Sequence, residues 1–224
     1  MANLKKILKN NGLSLTMGAL FLLCFTGQVL TGRLEHNEEA VKHGEMALSL
    51  GQYLHSAHFG EATMENWESE FLQMGLYVIL TAFLFQKGSA ESKSLTEENS
   101  VDEDPRLGKK RNSPWPVKRG GLILRLYENS LGLALLILFA VSFFMHAHFG
   151  MEAHNEEAAR HGSPLLSSLW EYIGTSQFWF ESFQNWQSEF FSIGAVVLLS
   201  IYLRQRGSPE SKPVAMAHSD QDPA

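Results

Sequence analysis

Apolar residues gather into four runs, separated by segments crowded with charge. Run one, residues 10–32, holds no Asp, Glu, Lys or Arg between Lys9 and Arg33. Run three, residues 129–151, lies uncharged between Glu128 and Glu152, with His146 and His148 counted as neutral. Both exceed the roughly 20 residues a helix needs to cross a bilayer. Runs two and four, residues 71–86 and 190–203, are shorter. At about 1.5 Å per residue they reach only about 21–24 Å, against a hydrocarbon core of about 30 Å. Their helices must start further upstream. That draws Glu70 and Glu189 to the bilayer edge and leaves Trp67 and Trp186 in the interfacial aromatic belt.

The pattern is written twice. NGLSL, HNEEA, HG, NWESEF and KGSAESK in the first half return as NSLGL, HNEEA, HG, NWQSEF and RGSPESK in the second. The offset is 118 residues through HNEEA and HG and 119 from NW onward, so one residue is inserted. The expected fold is an all-α membrane protein: four transmembrane helices, arranged as a tandem (parallel) repeat of two two-helix units. The first unit spans 1–93, with helices over about 12–32 and 66–87. The second spans 121–212, with helices over about 129–151 and 185–205.

Lys5, Lys6 and Lys9 before the first run give it the look of a signal peptide. Its partner in the repeat is internal, and no small-residue cleavage site follows, so an uncleaved helix is expected. Positive charge fixes the orientation. Lys and Arg crowd the N-terminus, the segment between the repeats and the region after the fourth run. The loops within each repeat hold only Arg33 and Lys42, and Arg160. The positive-inside rule therefore places both termini in the cytoplasm and both acidic loops outside, as in a multi-pass cell (inner) membrane protein.

Composition narrows the classes further. A net charge of −6 gives no basic surplus for nucleic-acid binding. The single cysteine, Cys24, lies inside an apolar run and allows no intrachain disulfide. Residues 94–120 are polar and broken by Pro105, Pro114 and Pro116, and read as a disordered cytoplasmic linker. The tail, 213–224, reads the same way. The GSxESK turns after runs two and four read first as stop signals, since Gly88 and Gly207 suit a positive φ behind a helix.

Three constellations carry candidate chemistry. On continuous helices, Asn66, Glu70, Gln73, Tyr77 and Thr81 form one stripe, and Asn185, Glu189, Ser192, Val196 and Ser200 another. Polar groups in lipid are costly, so these stripes should face the bundle interior, as interhelical glue or as a polar pathway. Gln28 and His146 lie at equivalent depth on the first helix of each repeat. They are the natural partners of Glu70 and Glu189. The outer loops carry H-x-x-E-x-x-x-H: His36, Glu39 and His43, then His154, Glu157 and His161. One helical face bearing these groups suits a divalent transition metal or, more simply, a solvated surface. Haem held by two histidines needs them on different helices. Only the third run has any, so haem is not expected.

The motifs NGLSL, HNEEA, EATMENWESEFLQM and KGSAESK resemble an uncharacterised family of small bacterial membrane proteins, a domain-of-unknown-function family. The resemblance covers nearly the whole chain and is better in the first repeat. It implies a bacterial membrane protein and supplies no reaction, ligand or site residue.

The first functional expectation is a protein that binds or passes a small polar solute, ion or proton through an acidic outward-facing site. The second is a structural protein whose outer loops dock an extracytoplasmic partner or a second copy of the chain. The third is a metal-dependent membrane enzyme. No nucleophile elbow, phosphate loop or cysteine metal motif is present, which weighs against an enzyme.

Overall fold

In a computed structural model that describes residues 2–95 and 99–220, the chain is helical, with no strand among the described residues. The helices are α1 (Ala2–Lys42), α2 (Leu50–Tyr53), α3 (Ala57–Phe83), α4 (Trp115–Arg119), α5 (Gly121–Glu128), α6 (Ser130–Arg160), α7 (Leu169–Ile173) and α8 (Ser176–Tyr202). Residues 96–98 of the linker and 221–224 of the tail lie outside the described residues. Two helices, over Lys6–Lys42 and Ser130–Arg160, are long and apolar enough to cross a membrane.

The two Asn-rich starts are helix junctions. Asn11 breaks α1 with φ −128° and ψ 17°, and Asn129 separates α5 from α6 with φ −113° and ψ 9°. Each side-chain amide donates back one turn, Asn11 to the Ile7 carbonyl at 3.1 Å and Asn129 to that of Arg125 at 2.9 Å. A short amide that bonds the local backbone competes with the helical ladder.

Helices α3 and α8 each run for 27 residues, about 40 Å at 1.5 Å per residue. They begin upstream of Trp67 and Trp186, so Glu70 and Glu189 lie inside continuous helices, as the short apolar runs required. A Thr175 hydroxyl that accepts from the Phe178 N–H fixes the start of α8.

The chain divides into two compact units, Met1–Thr63 with His148–Leu166, and Met64–Ala147 with Ser167–Ala224. Each takes residues from both sequence copies.

Within the first unit, the Asn of each HNEEA motif staples a loop. Asn37 accepts from the Leu48 N–H at 2.7 Å and donates to the Leu48 carbonyl at 3.0 Å. Asn155 does the same with Leu166, at 2.8 and 3.0 Å. Gly44 and Gly162 turn the chain between them with φ of 79° and 65°. Arg160 bonds Glu45 through Nε at 2.8 Å and through Nη2 at 3.0 Å. An aromatic cluster of Phe21, Phe25, Tyr53 and Phe59 packs α1 against α2 and α3, the Phe25–Phe59 ring centroids 5.8 Å apart. Val29 and Ala40 of α1 are also buried, but many of its other apolar side chains are uncovered: Leu13 is 77% exposed and Leu23 69%.

The second unit has an aromatic cluster of the same kind: Phe139, Phe143, Tyr172 and Phe178, with Phe143 and Phe178 5.2 Å apart. Leu48 and Leu166 are 118 positions apart, whereas the buried Tyr53 and Tyr172, like the capping Ser49 and Ser168, are 119 apart. The extra residue is therefore Ser167, well before the NW motif.

Serine-closed turns follow α3 and α8. Gln86 N–H donates to Ser92 Oγ and Gln205 N–H to Ser211 Oγ, both at 2.8 Å. Gly88 and Gly207 sit inside these turns at φ 83° and 86°. Beyond the first turn, Lys93 pairs with Asp102 at 2.7 Å, in the 3₁₀ turn Ser100–Asp102. Beyond the second, the buried Lys212 ammonium donates to the carbonyls of Ala217, His218 and Asp220.

Candidate site: a buried carboxylate–imidazole cluster

Three helices of the second unit bring polar side chains into its interior. From α6 comes His146, from α3 Glu68 and from α8 Glu181. His146 and Glu68 are each 0% exposed. The His146 Nδ1 lies 2.7 Å from Glu68 Oε2. The other Glu68 oxygen accepts from the Trp186 indole N–H at 3.0 Å. One carboxylate is thus held at both oxygens by donors from two helices, which compensates its loss of water.

The far nitrogen of the imidazole is differently placed. His146 Nε2 is buried, makes no hydrogen bond among the described residues and lies 3.5 Å from Glu181 Oε2. Glu181 accepts from the Tyr172 hydroxyl at 3.1 Å and from the Gln177 amide at 3.0 Å. Phe178 stacks on the His146 ring, centroids 4.9 Å apart at 30°, and closes the apolar side. Beside the pair, the Asn185 amide donates to the half-buried Glu65 and to the Glu181 carbonyl.

The charges do not balance. Glu65, Glu68 and Glu181 face a single imidazole, and among the described residues none of the three pairs with Lys or Arg. Burying an unpaired carboxylate is costly, so the cluster favours capture of a positive charge. Two carboxylates meet opposite ring nitrogens instead of converging on one point. That arrangement suits a proton moving along a line and does not suit a metal cage.

Of the expected site residues, His146 and Asn185 enter the cluster. Glu70 and Asn66 occupy exposed positions on α3, and Glu189 is half-buried on α8. Gln28 belongs to the first unit, where its amide donates to Thr63 Oγ1 at 3.3 Å. His146 takes Glu68 as partner, two residues before Glu70.

The histidines of the two H-x-x-E-x-x-x-H motifs lie on or just after α1 and α6 and are used locally. His43 Nδ1 lies 3.0 Å from the Glu39 carbonyl, and His161 Nε2 lies 3.0 Å from Glu157 Oε1. His36 packs on His58 and Tyr53, at 5.1 and 5.9 Å between rings, and His154 is half-buried on α6. Among the described residues no group of three or more His, Cys, Asp or Glu side chains is placed to hold a metal ion. His58, missed as a site residue, bonds the Tyr53 hydroxyl at 3.2 Å and lies 3.5 Å from Glu35. Burial and the neighbouring His36 hold its imidazole below its ordinary range, with Glu35 partly opposing them.

Sequence reasoning missed Glu68 and Glu181 because the other copy has Gln187 and Ala62 in their places. A usable signal was the pair Ser142 and His146, polar residues one turn apart in the most apolar run.

Fold and site together define an all-helical protein with two helices able to cross a membrane and an acidic cluster inside its second unit. The chain belongs to the family of a domain of unknown function, DUF6766, whose model matches residues 4–222. No curated protein and no solved structure matches it.

Proposed function

We propose that this is a multi-pass inner-membrane protein that takes up a proton at the Glu68–His146–Glu181 cluster and passes it inward. The bundle has four spans as a tandem repeat of two two-helix units, with both termini in the cytoplasm and the cluster toward the outer side. Support for four spans comes from the uncovered apolar side chains of the shorter-run helices as well. Phe83 of α3 is 74% exposed and Phe191 of α8 is 77% exposed, which water disfavours and lipid does not. Support for the repeat comes from the paired Asn staples, aromatic clusters and serine-closed turns.

The observation that carries the functional reading is the unsatisfied His146 Nε2, buried and aimed at Glu181. With a proton on Nε2, His146 is an imidazolium between two carboxylates. Without it, a ring lone pair faces a carboxylate, and the space between them calls for a positive charge. The two states differ by one proton and need little rearrangement, which is what a transfer site requires.

Proteoliposomes loaded with a pH-sensitive dye test the reading by an external acid pulse. The wild type should acidify the lumen faster than empty vesicles, and E68Q should reduce this at least tenfold while keeping its expression level. Wild-type vesicles no leakier than empty ones would overturn the reading.

A further inference from the structure

We propose that Glu91 is the inner terminus of the route that starts at His146, reached through a single polar column on α3. The inference rests on the proton-handling reading above and adds where the proton leaves.

On the face of α3 adjacent to that of Glu68, Ser69, Gln73 and Tyr77 follow one another, spaced four residues apart. Side chains four apart on a helix stand one above the other, about 6 Å along the axis. Ser69 is 2% exposed and Gln73 7%. The Ser69 hydroxyl donates to the Asn66 carbonyl at 2.9 Å and the Gln73 amide to the Glu189 carbonyl at 3.5 Å, and the oxygen of each remains an acceptor for a bridging water. On α6, the buried Ser142 lies one turn from His146 toward the same end. Gaps of one helical turn are short enough for single bridging waters between polar side chains.

The column ends on an acid. The Tyr77 hydroxyl donates to Glu91 Oε2, and Glu91 Oε1 is buried with no hydrogen-bond partner among the described residues. Glu91 lines a cavity of about 620 Å³ with Tyr77, Thr81, Lys93 and Asp102. Lys93 is engaged elsewhere: its ammonium meets both Asp102 oxygens at 2.7 and 3.0 Å and the Ala82 carbonyl at 2.9 Å. Ser89, beside Glu91, is anchored to Ser200 of α8 at 2.8 Å, which fixes the turn against the bundle.

The transfer balances. Tyr77 gives its hydroxyl proton to the Glu91 carboxylate while its oxygen takes one from the chain above, so no tyrosinate accumulates. The Glu91 O–H then breaks, and the proton passes to water in the cavity. Glu91 returns to carboxylate with no net change in the column.

The second copy lacks this column. Val196 stands at the position of Tyr77, Ser188 and Ser192 are exposed on α8, and Glu210, the equivalent of Glu91, is exposed. Both ends of the route therefore depend on α3.

The test uses the full chain in proteoliposomes under an acid pulse, together with the ¹⁵N resonance of the His146 imidazole followed against pH. E91Q should cut flux at least tenfold and leave the His146 titration unchanged, and E91D should restore most of the flux. E210Q should behave as wild type. Y77F should also reduce flux several-fold, and it decides the matter if E91Q does not fold. Wild-type flux in E91Q or, failing that, in Y77F overturns the inference but leaves the outer site standing. Absence of flux in the wild type overturns both.

Discussion

His146 and Glu68 meet at 2.7 Å across 78 residues of sequence, and neither side chain is exposed to solvent. Such a pair is poor evidence for stability by itself, because desolvation offsets much of the attraction. Its partial removal is another matter. H146L would leave Glu68 buried against the Trp186 indole with one charge unmatched. A cost of about 3–5 kcal/mol is expected. The double change E68L/H146L should recover most of it. Thermal unfolding in detergent measures both. A double variant as unstable as the two single losses added together would contradict a buried ion pair here.

The sequence made the helices legible and the site only partly so. Charge gaps located α1 and α6, and run length required α3 and α8 to start before their tryptophans, as they do at Ala57 and Ser176. Of the polar stripe read on α3, Gln73 is buried and Tyr77 and Thr81 are half-buried. Nearer the start of the helix the buried polar residues are Glu68 and Ser69, while Asn66 and Glu70 are exposed. The physical reason is the assumption of symmetry. Glu70 and Glu189 are shared by the copies, and sharing selected them. The cluster is built instead from positions where the copies differ: Gln28 against His146, Glu68 against Gln187, Ala62 against Glu181. A motif conserved between copies marks what both must do to fold. An asymmetric interior marks what one of them does in addition.

Gly32 owes its identity to Tyr53. A Cβ at position 32 would collide with the Tyr53 hydroxyl, and Tyr53 is buried. G32A should destabilise the protein by about 1–3 kcal/mol through overpacking. Y53F removes the colliding oxygen, so G32A/Y53F should be more stable than G32A alone. Melting temperatures of the four proteins check this, and no recovery in the double variant would mean that the strain lies elsewhere.

His58 gives the fold a pH dependence. Its folded-state pKa is lowered from 6.5, chiefly by burial. A base held below its ordinary value binds fewer protons folded than unfolded. Its contribution to stability is full above 6.5 and is lost as pH falls toward the folded value. The melting temperature should therefore drop on mild acidification. H58Q, which installs the residue found at the equivalent Gln177, should flatten that part of the curve. An identical slope in H58Q would assign it to other groups.

The proposed four-span topology would put Gly51 and Gly162 outside and Ser94 and Ala217 in the cytoplasm. A reporter enzyme active only outside the membrane should be active when fused after either glycine, and silent after Ser94 or Ala217. Activity after Ser94 would remove α3 from the membrane and the inward route with it.

The central claim is that the buried His146 exchanges a proton with the outer solution. Selective ¹⁵N labelling of histidine in the full chain, reconstituted in lipid, reads the protonation of Nδ1 and Nε2 separately, with H146Q identifying the resonance. We expect Nδ1 to stay protonated, donating to Glu68. Nε2 should gain and lose its proton as the pH is scanned over roughly 5 to 10, and E181Q should shift the midpoint. An Nε2 signal that never changes over that range, in wild type and E181Q alike, would make His146 a fixed structural group and contradict the account.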